Sequence, residues 1–257
     1  IAVFGNVDLR GEFEWSMNHF IMDGEVSTAV GNGYANVALN HTQSAKDMTY
    51  KGSVDFSNLN LGKLLKEDEL GLTTIKGQID GKGVTVDDMD MMVALDVKKL
   101  DYHGYKYTNI ELKGDIEKSA FNGLVKIKDP NIDFDFVGNV DLANDTSKLD
   151  FKADLKRADL YKLQLWDDTI SVVSGLVDID FDFFEDSWWD GKIAVEKITY
   201  ESDDRFFFFE EIVLNSTHSN QSQNIDLRSK IVEGNLRGKF KVLDLFNSIP
   251  YILEKGI

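Results

Sequence analysis

The residues best placed to do chemistry in this chain are carboxylates, and their spacing argues against a site. Asp178, Asp180 and Asp182 alternate like the first ligands of a calcium loop, which takes oxygen from every second position. Such a loop also needs glycine at its sixth position and a chelating glutamate at its twelfth, where this chain has Phe183 and Trp189. The triplet reads instead as the solvated face of a strand. His19, His41, His103 and His218 lie in polar or turn-like settings, with no second histidine three or four residues away to complete a metal pair. Carboxylates are plentiful, yet no pair stands out for general acid/base work, and G-x-S-x-G, P-loop and dinucleotide fingerprints are missing. Asn40, Asn144, Asn215 and Asn220 open N-x-Ser/Thr triplets, a pattern frequent by chance. The expectation is a protein that is not an enzyme and takes no metal or cofactor.

Charge sets the next limit. With 45 acidic and 28 basic residues the chain carries a net charge of -17, which repels nucleic acid and anionic bilayer surfaces. Nucleic acid is therefore not an expected partner. An apolar share of 42% is enough to bury a large surface, so disorder is excluded. The lack of cysteine removes disulfides, thiolate metal sites and cysteine nucleophiles, and leaves the redox compartment open. No run of eighteen apolar residues could span a bilayer as a helix. The chain opens at Ile1 and closes in mid-pattern, and is read as an excerpt of a longer protein whose anchor or export signal lies elsewhere.

Period-two alternation dominates the elements that would hold any site. Ile132, Phe134, Phe136, Val140 and Leu142 fall on one strand face, against Asp133, Asp135, Asn139 and Asp141 on the other. Val177, Ile179, Phe181 and Phe183 alternate in the same way with the aspartates, as do Leu236, Phe240 and Val242 further on. Clusters of Asn, Asp and Gly punctuate these runs, and there are only two prolines, so antiparallel hairpins or a meander follow.

The run Phe206–Phe209 breaks the pattern by being apolar on both faces, because successive side chains of a strand point opposite ways. Cover on its outer side by Trp188 or Trp189 is expected, with an outward patch for a partner chain as the alternative.

The chain also repeats itself. Phe56–Leu61 matches Leu155–Leu160 in type and spacing at an offset of 155 − 56 = 99. Gly77-Gln-Ile-Asp is answered by Gly175-Leu-Val-Asp at an offset of 98, and Val97–Tyr102 by Val195–Tyr200 at the same offset. A partial third copy starts near Phe240. A fixed period means one supersecondary unit stacked on itself. The expected division is the end of one repeat over 1–49, repeats over 50–148 and 149–247, and the start of the next segment over 248–257.

Each repeat has one piece that is not strand-like. Leu59, Leu61, Leu64 and Leu65, and later Leu160 and Leu163, have the spacing of one or two amphipathic helical turns. Such short pieces cannot cover the apolar face of several one-sided strands. Two sheets must face each other, or one sheet must curl until its apolar face lines a trough. The second arrangement is expected, with Phe56, Ile79, Val97, Phe136, Val177, Phe181 and Phe240 on the concave side. Val54, Val195, Ile212 and Leu214 join them as lining residues by the same parity. The segments carrying Leu61, Leu64, Leu160 and Leu163 are expected to cross or plug the trough.

These motifs together, VDFSNLNLGKLL, Gly77-Gln-Ile-Asp-Gly-Lys-Gly, LDYHGYKYTNIELKGDI and FNGLVKIKDPNIDFDFVGNVDL, resemble the TamB proteins of Bacteroidota, related to the AsmA-like family. The resemblance covers almost the whole chain and is weakest over residues 1–30. It implies an all-β fold, a long antiparallel sheet bent into a U-shaped gutter, the β-taco. It also implies a periplasmic location, an inner-membrane anchor outside this stretch and a TamA-type barrel as outer-membrane partner. Its implied role is carrying phospholipid between the two membranes, or assembling outer-membrane proteins.

Two functions of different class fit the one-sided sheet. In the first, acyl chains slide along the apolar wall. In the second, a scaffold or chaperone assists outer-membrane protein assembly or secretion with the TamA-type barrel, pairing its open edge with client strands. A membrane barrel also alternates, but its hairpin repeat is much shorter than a hundred residues.

Overall fold

A pleated backbone sorts alternate residues onto opposite faces. The computed structural model describes residues 2–41, 44–83, 88–118, 120–142, 146–166, 171–184, 188–202, 205–219 and 222–239. The alternating runs within them are strands. The first strands are β1 (Asp8–Trp15), β2 (His19–Thr28), β3 (Gly31–Asn40) and β4 (Thr49–Asn60), followed by the one-turn helix α1 (Leu61–Leu65). It continues through β5 (Leu70–Lys82), β6 (Asp90–Tyr102), β7 (Tyr105–Glu117), β8 (Ala120–Asp129), β9 (Ile132–Asp141) and β10 (Thr146–Asp159). The last strands are β11 (Ser171–Phe184), β12 (Trp189–Ser202), β13 (Phe206–Ser219), β14 (Ser222–Ser229) and β15 (Glu233–Gly238).

Among the described residues, 15 strands form one antiparallel sheet in chain order, and β1 does not pair with β15, so the sheet is unclosed. Local chemistry fixes the hairpins. His103 and Gly104 between β6 and β7 both have positive φ, 49° and 79°, the two-residue turn whose twist matches the flanking strands. Between β4 and β5, Asn60 caps α1 by accepting from the Lys63 N–H at 2.8 Å, and Lys66 leaves it at φ 62°.

A line of glycines crosses the middle of the sheet. Gly114, Gly123 and Gly138 are register partners on β7, β8 and β9. A Cβ at these positions would lie 2.2, 2.1 and 2.3 Å from a neighbouring carbonyl oxygen, and Gly114 and Gly138 have φ of 154° and 146°. Only glycine tolerates that close approach and tight bend within a strand.

With a single layer, the two buried side-chain clusters form against one face. Phe181, Trp189 and Ile225 make one buried cluster on β11, β12 and β14. Tyr107 on β7 and Ala158 on β10 make another with Leu163, although a flat sheet would separate strands three places apart by about 14 Å. Curling of the sheet brings them together. The sheet runs unbroken through the expected repeat boundaries at 49/50 and 148/149, which fall inside β4 and β10, while 247/248 lies outside the described residues. The matched segments occupy β4 and β10, β5 and β11, and β6 and β12, each pair six strands apart.

Candidate functional site

Register partners in a sheet share a face, so the pairing shows which side chains form a common surface. One row reads Ala35, Val54, Gly77, Leu95, Leu112 and Val125 from β3 to β8, then Phe136, Ala153, Val177, Val195 and Ile212 to β13. Two residues along, the next row includes Met22, Val37, Ile79, Val93, the glycine line, Phe151, Ile179, Ile193, Leu214 and Leu227. Further rows contain Val140 and Phe181 on one side, and Phe56, Val97 and Phe134 on the other. None of these rows holds a charged side chain. Ile132 and Phe183 keep the same parity at strand ends. Leu142 lies just past the end of β9 and is 58% exposed, while Phe240 and Val242 fall outside the described residues.

The other face is charged. Asp178 belongs to β11, paired with Lys152 at 2.9 Å, and Lys51 meets Asp80 at 2.6 Å across a directly opposed position. Such exposed pairs add little stability. A depression of about 470 Å³ also opens on this face, floored by Leu124, Val137, Leu176 and Ala194 and rimmed by charges such as Glu196. Sequence reading missed it, because isolated apolar residues at polar parity do not form a pattern.

No family model, curated protein or solved structure matches the chain.

The apolar face is not open everywhere. Phe181 is 0% exposed; its ring lies 5.0 Å from that of Phe183 and 5.6 Å from that of Trp189, and it packs over the register partner Gly191. It is a core residue, whereas Val177 and Ile179 on the same strand face are only partly buried.

The leucine segments behave differently from each other. Leu163 is 1% exposed and packs against Tyr107 and Ala158, with Leu160 beside it, so this turn plugs one end of the face. In α1 no residue is buried and the turn packs on β5, so Leu61 and Leu64 close a hairpin and do not bridge the face.

A polar clasp borders the Leu163 cluster and was not foreseen. Asp129 accepts from the Tyr105 hydroxyl at 2.5 Å, the Thr108 hydroxyl at 2.7 Å and the Asn131 N–H at 2.9 Å. Burial pushes its carboxyl up, but these bonds outweigh burial and hold it below the usual aspartate range.

Trp188 and Trp189 do not cover the Phe206 run. Trp189 packs inward on Phe181 and Phe183, and Trp188 stacks on His218 with centroids 4.4 Å apart. Phe206 and Phe208 remain 65% and 56% exposed.

Proposed function

We propose that the chain is a stretch of a TamB-type periplasmic bridge whose apolar sheet face conducts phospholipid between inner and outer membranes. A TamA-type barrel would be its partner at the outer membrane, with an inner-membrane anchor beyond these residues. The observation that carries the reading is the continuity of the uncharged rows from strand to strand. A sixteen-carbon chain leaving a bilayer needs on the order of 12 kcal/mol of compensation at about 0.8 kcal/mol per methylene. A wall built mainly of Val, Ile, Leu and Phe would supply it without specific contacts, so headgroup selectivity should be low.

The finer reading, a U-shaped gutter of ~98-residue repeats with six strands each, draws support from the six-strand spacing of the matched segments and from the glycine line at mid-strand. The test is mass spectrometry of lipid extracted from the protein purified out of an envelope fraction. Phospholipid of mixed headgroup, lost in Val177→Asp and kept in Asp180→Asn, is the expected result; protein free of lipid in every form would sink the proposal.

A further inference from the structure

The first six residues of β13, Phe206–Glu211, form an edge within the sheet. On one side they pair with β12, from Glu201↔Phe206 to Glu196↔Glu211. On the other side β14 reaches only as far as Ile212↔Ser229, and the chain then turns back into β15, closed by the Ser229 N–H donating to the Val232 carbonyl at 2.8 Å. Among the described residues no strand continues that pairing. A row of backbone donors and acceptors about 20 Å long therefore faces a notch beside the hairpin tip. Phe206, Phe207 and Phe208 around it are 65%, 42% and 56% exposed, and Ile231 and Val232 at the tip are 71% and 52% exposed. The edge contains no lysine or proline to discourage pairing.

We infer that this notch receives an extended segment of another polypeptide that completes the sheet beside β13. The segment is apolar on both faces, because Phe206 and Phe208 point one way and Phe207 and Phe209 the other. It is basic where it meets Glu210 and Glu211, since the chain is strongly acidic and, among the described residues, Lys230 pairs with Glu210 alone, at 3.1 Å. A second copy fits poorly. Antiparallel self-pairing over the full six residues would set Phe206 against Glu211 and Phe207 against Glu210, and any self-pairing would bring together two chains of net charge -17. The inference does not depend on whether the opposite stretch of sheet carries lipid.

The probe is a labelled peptide, acetyl-Lys-Lys-Val-Thr-Val-Tyr-amide, written so that its lysines meet Glu211 and Glu210 in antiparallel pairing. Fluorescence anisotropy with the whole chain should show saturable binding. N-methylating one alternating set of peptide amides, and not the other, should weaken it about tenfold by removing backbone hydrogen bonds. The double substitution Phe206→Lys, Phe208→Lys should weaken it at least as much. No binding, equal binding of both N-methylated peptides, or self-association in sedimentation velocity that Phe206→Lys, Phe208→Lys abolishes would overturn the inference.

Discussion

The side chain of Gln223 hydrogen-bonds both backbone groups of Trp189, its Oε1 accepting from the N–H at 3.0 Å and its Nε2 donating to the carbonyl at 2.6 Å. Gln223 lies on β14 and Trp189 on β12, so one amide ties together two strands that β13 keeps apart. Nε2 also donates to the Ser216 hydroxyl at 2.7 Å, and the side chain is completely buried.

Replacing Gln223 by alanine removes its buried hydrogen bonds to the Trp189 backbone and the Ser216 hydroxyl, at a cost of about 3 kcal/mol. Gln223→Glu should cost a similar amount, because a carboxylate has no proton to give the Trp189 carbonyl. Urea unfolding reads both; a loss below about 1 kcal/mol in either variant would mean that the clasp is not structural.

The glycine line makes a second prediction. Gly114→Ala drives a Cβ to within 2.2 Å of the Asn122 carbonyl oxygen at φ 154° and should destabilise by more than about 2 kcal/mol. Gly234→Ala, with nothing within 4 Å, should stay within about 0.5 kcal/mol of the parent. Thermal melts that rank the two the other way round contradict the close approach.

Acid stability follows from the clasp around Asp129. Its folded carboxyl holds its proton less tightly than the unfolded one, as does that of Asp159, where the bonds from Lys162 outweigh burial. Both therefore stabilise the fold above about pH 4, and that contribution drains away as pH falls through the folded values. Asp129→Asn should be less stable at neutral pH and lose stability less steeply in acid. Melting points measured across the acid range check this, and parallel acid limbs for variant and parent would refute it.

The two leucine turns separate by burial. Leu163→Ala should cost about 3 kcal/mol, as expected for a fully buried leucine, while Leu64→Ala in α1 should cost about 1 kcal/mol or less. Equal losses would restore the equivalence of the two turns.

Strand faces were legible in the sequence because burial on one side enforces period two; Val177, Ile179 and Phe181 share a face as their alternation with aspartates requires. What alternation cannot encode is depth. Phe181 is sealed by Trp189 from β12 and Ile225 from β14, a relation between strands that no single strand contains. The same limit hid the Gln223 bridge, and misplaced Trp188 and Trp189, whose neighbours depend on hairpin lengths. The clasp escaped notice because Tyr105, Thr108, Asp129 and Asn131 are unremarkable polar residues until the β7–β8–β9 register brings them together.

The most direct test of lipid conduction is photo-crosslinking along one strand. Benzoylphenylalanine placed singly at Val177, Asp178, Ile179 and Asp180 samples the two faces of β11 in turn, at nearly the same height in the sheet. Irradiation in the cell envelope followed by lipid mass spectrometry should give phospholipid adducts at Val177 and Ile179 and none at Asp178 and Asp180. Adducts of equal yield on both faces, or only at the aspartate positions, would contradict a lipid path along the apolar wall.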